Sequence, residues 1–172
     1  LEDQARALNQ GFIKRHEHGL PWVLVKMAAS IDGRTAMASG QSQWVTTPAS
    51  RHDVQKLRAK SCAIITGIGT QLMDDPSLTV RITSEQLGVE DELQQPLRVV
   101  VDSQLQMQST ARMLTQPGNT LIATLDGESQ RERAVALVAA GAEVIFLPAQ
   151  GKHVDLHALL RELAERQCNS VM

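Results

Sequence analysis

Apolar runs and helical stretches alternate along the second half of this chain, and that alternation constrains its fold more than any other feature. Leu97–Val101, Thr120–Thr124 and Glu143–Leu147 are short apolar runs of the strand type. Glu128–Ala140 reads as a helix, stopped by Gly141 in the usual way. A further helix over about Val154–Arg166 sets Leu156, Leu159, Leu160, Leu163 and Ala164 at helical spacing. Ser170-Val171-Met172 opens another strand. Strands alternating with helices specify an α/β domain around a mostly parallel sheet.

The first half is more punctuated. Residues 1–18 are polar and helix-compatible, with Ala5, Leu8 and Phe12 on one stripe, and Gly19-Leu20-Pro21 stops them. Trp22–Ala28 reads as a buried strand containing one charge, Lys26. A turn at Ile31-Asp32-Gly33 and a Gly/Ser-rich stretch lead to Trp44. Thr47-Pro48 starts a helix that runs to about Lys60, Thr as N-cap and Pro at the first helical position. Val54, Leu57 and Ser61 are expected inward, with Arg51, Gln55 and Arg58 on the adjacent stripe. Strand Cys62–Thr66 ends in Gly67-Ile68-Gly69-Thr70 and a short helical turn before Asp74-Asp75-Pro76. Residues 83–95 are polar and are expected to loop outward.

Composition narrows the functions. A length of 172 residues suits one full domain. Seventeen Lys and Arg stand against nineteen Asp and Glu, a net charge of −2 that argues against a general nucleic-acid binder or a polybasic membrane-surface protein. Two Trp, two Phe and no Tyr leave little for base-stacking platforms. Cys62 and Cys168 form no CxxC pair and read as reduced, buried thiols of a cytosolic protein. No apolar run reaches the length of a membrane span and no signal-peptide pattern is present, so a soluble cytoplasmic domain is expected.

Several residues could carry chemistry. Lys26 within an apolar strand either snorkels from a strand end or is a cation at the carboxyl end of a strand, where ligands of open α/β sheets gather. Gly67-Ile68-Gly69-Thr70 either makes a tight turn or presents backbone N–H groups to a phosphate. Arg58 and Arg81 match phosphate geometry, although arginines on a surface are common. His153 and His157, four apart with Asp155 between them, have a spacing zinc can use, but no third ligand is evident, so no metal is expected. Asp74-Asp75 is a poor magnesium site because adjacent turn residues seldom point the same way.

Four strings in order and spacing carry a resemblance: Lys26–Ala36 (KMAASIDGRTA), Gly40–Thr46 (GQSQWVT), Asp53–Ala59 (DVQKLRA) and Asp74–Arg81 (DDPSLTVR). Together they closely resemble the reductase domain of the bacterial bifunctional riboflavin-biosynthesis deaminase–reductase, continuously from about Gly19 to Asp102-Ser103 and more loosely to the end. Residues 1–18 resemble the segment joining deaminase to reductase, which leaves 19–172 as the reductase domain. The resemblance implies a dihydrofolate-reductase-like three-layer fold, with helices on both faces of a mostly parallel central sheet. It implies NADPH-dependent reduction of the ribosyl group of 5-amino-6-(5-phosphoribosylamino)uracil to a ribityl chain. It also implies a homodimer and a zinc deaminase domain in the parent chain. The family's final strand continues into a glutamate and a glycine-rich loop, so the domain is expected to lack its last part here.

Roles carry over by position. The resemblance assigns Lys26, Ser42, Arg58, Leu78 and Arg81 to the substrate site, the two arginines clamping its phosphate. Ala28, Trp44, Thr70, Asp74 and Ser103 are assigned to the NADPH site. Lys26 and Asp74 are the candidates for positioning charge during hydride transfer to a ring-opened imine. Two other readings remain open at this point: a dihydrofolate reductase, which shares the fold, and a nucleotide-binding module that does not catalyse.

Overall fold

The computed structural model describes residues 1–42 and 44–172. Its frame is a six-stranded sheet in the order β1-β8-β2-β3-β4-β5, with every pairing parallel. The strands are β1 (Trp22–Val23), β2 (Ala63–Gly67), β3 (Leu97–Val101), β4 (Thr120–Leu125), β5 (Ala142–Leu147) and β8 (Ser170–Val171). A hairpin, β6 (Ala149–Gln150) and β7 (His153–Val154), pairs separately and antiparallel.

Strand side chains alternate between two buried faces. Ile64, Val100 and Ile122 join one core cluster, completed by Ala134 and Leu137 of α6 (Glu128–Ala139). Ala63, Val99 and Leu121 join the other, under Leu159 and Leu163 of α7 (Leu156–Glu165). Burial on both faces is what a continuously apolar strand such as LRVVV demands, and parallel sheets satisfy it with a helix layer on each side. Asp155 caps α7, accepting from the His157 and Ala158 N–H groups. That cap employs Asp155 and leaves the His153–His157 spacing as strand-to-helix geometry. Among the described residues, no group of three or more His, Cys, Asp or Glu could hold a metal.

The chain runs β2-β3-β4-β5 toward one edge of the sheet and returns through α7 to place β8 on the other side of β2. Strand order therefore reverses beside β2, and the crevice outside the carboxyl ends of strands at such a reversal is where open α/β sheets bind ligands. The ends of β1, β8, β2 and β3 all open onto it.

Four local expectations are corrected. Trp22–Ala28 is not a buried strand: only Trp22–Val23 pairs, at the sheet edge, and Lys26 is exposed. An edge strand has one neighbour, here β8, so its outer side chains stay in solvent whatever their hydropathy. Cys62 is exposed while Cys168 is buried; Cys62 lies at the amino end of β2, outside both clusters, and burial pushes the Cys168 thiol up. Residues 1–18 are helical as expected, in α1 (Glu2–Leu8) and α2 (Gln10–His18), and the stripe of Ala5, Leu8 and Phe12 is exposed. The 83–95 stretch holds a four-residue helix, α5 (Ser84–Leu87), closed by a capping box from Thr83 and Gln86.

The fourth correction bears on the site. Helix α3 (Pro48–Ala59) is capped by Thr47 as expected, but it buries Gln55 and leaves Leu57 37% exposed. The inner face is rotated because α3 lies against residues 79–81, whose backbone has no strand partner and needs polar side chains. Gln55 Oε1 accepts from the Arg81 N–H at 3.0 Å, and Arg58 Nη1 donates to Thr79 O at 3.2 Å. Gln95 holds the other side, pairing with both Val80 N–H (2.8 Å) and Val80 O (3.1 Å).

Candidate functional site

Two cavities lie along the carboxyl ends of the strands. The first, about 380 Å³, is lined by Lys26, Arg58, Thr66, Leu78, Leu156 and Met172 among others. The second, about 770 Å³, runs from Gly67 and Gly69 past Asp102 and Ser103 to the β6–β7 hairpin. Leu156 lines both, so they adjoin.

Arg58 is the unusual group in the first cavity. Its Nε is buried without an acceptor, and burial, then the charge of Arg81, hold its pKa below the ordinary arginine value. Among the described residues neither arginine is in an ion pair. Arg98 supplies the contrast. It is 1% exposed, and its guanidinium donates to Thr120 Oγ1 and to the carbonyls of Gln116, Pro117 and Gly118. A buried arginine with a structural task thus has its donors satisfied; Arg58 does not. A half-buried guanidinium with an orphaned donor, a second cation acting on it and, among the described residues, no carboxylate partner makes a site that an anion completes.

The second cavity fits a long ligand that approaches backbone. A Cβ added at Gly67 or Gly69 meets no atom within 4 Å, and neither glycine has a positive φ. Neither packing nor backbone conformation requires glycine there, so its smallness serves whatever enters the cavity. These glycines begin α4 (Ile68–Asp74), which carries Thr70 and Asp74 on its exposed side and ends with Asp75 in the left-handed region at φ 38°. Asp75 fixes that end of α4: its Oδ1 accepts from the Arg112 N–H at 3.0 Å.

The residues expected at the site divide as follows. Lys26, Arg58 and Leu78 line the first cavity, with the charge of Arg81 acting on Arg58. Ser103 lines the second, while Thr70 and Asp74 follow Gly69 on α4; these two and Arg81 line neither cavity. Ala28, Ser42 and Trp44 sit among residues 24–42 and 44–46, which form no helix or strand, and line neither cavity; Trp44 carries the Arg51 guanidinium 4.3 Å over its ring. Gln43 of the same motif lies outside the described residues. Sequence reasoning missed Gln95, which supports the Arg81 loop, and did not assign that support to Gln55. It also missed Leu156 and Met172 as walls and Lys152 as a lining cation. No periodicity marks these residues, because each acts on a segment distant in sequence.

Comparison with known proteins gives the family and the fold. The chain is 42% identical over 176 residues to riboflavin biosynthesis protein RibD of Escherichia coli (strain K12), covering 99% of this chain and 46% of that protein. It is 42% identical to the protein of the same name from Haemophilus influenzae, covering 99% and 45%. The chain therefore spans a little under half the length of these relatives. Among solved structures, Acinetobacter baumannii RibD superposes with a TM-score of 0.78 at 36% identity, over 99% of this chain and 44% of that one. A Thermotoga maritima diaminohydroxyphosphoribosylaminopyrimidine deaminase/5-amino-6-(5-phosphoribosylamino)uracil reductase gives 0.77 at 26% identity, over 99% and 43%. The expected dihydrofolate-reductase-like architecture is thus the observed one. With its profile matched over residues 21–172, the chain belongs to the RibD C-terminal domain family.

Proposed function

We propose that this chain performs the NADPH-dependent reduction of the ribosyl group of 5-amino-6-(5-phosphoribosylamino)uracil to its ribityl product, in riboflavin biosynthesis. The observation that carries this is Arg58 in the wall of the first cavity, its Nε unsatisfied, the charge of Arg81 acting on it and, among the described residues, no carboxylate paired with it. A sugar phosphate supplies the missing acceptors, and the two forks hold it in fixed orientation. The Thermotoga relative, a reductase named for the same compound, supports the choice of ligand.

The chain's own residues then orient, exclude water and place a proton. With its phosphate held by Arg58 and Arg81, the substrate lies along Leu78, whose apolar wall with Leu156 and Met172 limits water. Lys26 faces the polar edge of the substrate, with Ser42 beside it. Lys26 and Asp74 keep charge placed so that the nitrogen of the ring-opened imine is protonated, which makes its carbon the better electrophile. Ser103 lines the cofactor side, where open space over Gly67 and Gly69 lets a dinucleotide approach backbone; Thr70 on α4, Ala28 and Trp44 are assigned to it by the resemblance. A reduced nicotinamide held by these residues would supply the hydride that the imine carbon accepts. Holding the two reactants in near-attack geometry is the larger part of the acceleration.

A second copy of the chain belongs to the same reading: Trp22, Val25 and Met27 leave apolar surface exposed at and beyond the β1 edge. So do an upstream zinc deaminase domain and a cytoplasmic setting; among the described residues no helix is long and apolar enough to cross a membrane. Purified protein is incubated with NADPH and either the phosphorylated substrate, its dephosphorylated form or dihydrofolate. NADPH consumption with the phosphorylated substrate, and a KM raised by Arg58→Ala or Arg81→Ala, is expected. Equal rates on the dephosphorylated form, or oxidation with dihydrofolate instead, would overturn the assignment.

A further inference from the structure

The second cavity holds two basic side chains that the proposed reaction leaves unused, Lys152 and His153. They stand on the β6–β7 hairpin, where Gln150 pairs with His153 and Gly151-Lys152 forms the two-residue loop. Gly151 takes φ 66° and Lys152 is not left-handed, the II′ pattern that calls for glycine at the first loop position. The hairpin is anchored over the sheet. Val154 is 2% exposed, and its N–H donates to Ser103 Oγ at 3.0 Å; the Asp155 N–H donates to Pro148 O at 2.9 Å. Lys152 therefore sits at the tip of a fixed support.

We propose that Lys152, assisted by His153, binds the 2′-phosphate of the nicotinamide dinucleotide and so sets the preference for NADPH over NADH. This rests on the second cavity being the dinucleotide cleft. Polarity follows from the cavities themselves. The first cavity reaches Thr66 and the second starts at Gly67, so the nicotinamide would lie at the end of β2 beside the sugar, and the adenosine end would extend from there toward the hairpin tip.

The choice between a bare and a phosphorylated ribose follows from the lining. A bare 2′-hydroxyl is usually met by a carboxylate, a 2′-phosphate by a cation. The lining carboxylate, Asp102, is 0% exposed and its Oδ2 accepts from the Met107 N–H at 2.8 Å, so it lies beneath the floor. Lys152 and His153 are exposed and, among the described residues, in no ion pair. A phosphomonoester brings close to two negative charges to them. Ser103 Oγ already accepts from the hairpin, so its hydroxyl hydrogen remains free to donate to the same phosphate.

Calorimetric titration of the protein with NADPH, NADH, 2′,5′-ADP and 5′-ADP tests this. The unaltered protein should prefer the 2′-phosphorylated member of each pair. Lys152→Ala should weaken NADPH and 2′,5′-ADP by about tenfold or more while moving NADH less than about twofold, and Lys152→Arg should restore most of the loss. The exposed loop tip makes the variant safe to fold, which its melting temperature verifies. An unchanged NADPH-to-NADH ratio in folded Lys152→Ala overturns the inference and leaves the cleft standing. Failure of the unaltered protein to bind either dinucleotide overturns the cleft as well.

Discussion

Replacing Arg58 by methionine separates ligand binding from folding, because the two should move in opposite directions. In the ligand-free protein Arg58 makes one hydrogen bond, to Thr79 O, while its Nε is buried without an acceptor. Losing that bond costs about 1 kcal/mol, whereas removing an unsatisfied buried donor returns about 1–3 kcal/mol. Relief of the repulsion from Arg81 acts in the same direction. The free protein should therefore hold its stability or gain up to about 2 kcal/mol, where an average substitution costs about 1. For a chain of this length the gain corresponds to a Tm higher by up to about 4–8 °C. With ribose 5-phosphate present the order reverses. Loss of a charge-assisted phosphate contact of about 2–3 kcal/mol weakens binding by about 30- to 150-fold. Differential scanning calorimetry with and without ribose 5-phosphate reads both effects. A ligand-free Tm lower by more than about 5 °C would show that the guanidinium is a structural strut. An undiminished rise in Tm on adding ribose 5-phosphate would show that it holds no phosphate.

Three further outcomes follow from neighbouring features. Gly69→Ala should stabilise α4 by about 0.5–1 kcal/mol in urea unfolding, because it replaces a helical glycine over open space, yet it should weaken dinucleotide binding. Gln95→Ala removes both partners of the Val80 backbone. It should cost about 2 kcal/mol and raise KM for the phosphorylated substrate more than it lowers kcat, since it frees the loop that carries Arg81. Glu143→Gln tests the surface pair with Arg166, whose hydrogen bonds hold the Glu143 carboxyl below its ordinary 4.5. A depressed carboxylate adds stability above its unfolded value and loses it as pH falls through the folded one. The variant should thus be less stable by under about 1 kcal/mol at neutral pH, with the difference vanishing below pH 4.5 in melts across the acid range.

Much of the frame was legible in the residues. Leu97–Val101 occupies the range expected, and Glu128–Ala139 and Ala142–Leu147 fall within a residue, because two-sided burial writes a continuous apolar run and Gly141 punctuates it. Trp22–Ala28 has the same hydropathy but sits at an edge, and strand order is decided by pairing partners remote in sequence, here β8 near the end of the chain. Arg58 and Leu78 were identifiable by motif and do meet at one cavity. What makes the arginine pair a site was not legible: buried Gln55 and partly buried Gln95 replace strand pairing along 79–81, and glutamines carry no periodic signal of such a task. Trp44 and Ser42 belong to the motif but lie on a segment without regular hydrogen bonding, so motif membership alone did not place them at a cavity.

The most direct test of the central claim follows the hydride itself. The protein is given NADPH deuterated at the transferring position of the nicotinamide together with 5-amino-6-(5-phosphoribosylamino)uracil, and the product is analysed by NMR. One deuterium at C1 of a ribityl chain, formed in step with NADPH consumed, is the predicted result. NADPH consumption with no label on the sugar, or a sugar left unreduced by protein that binds both ligands, would contradict the account.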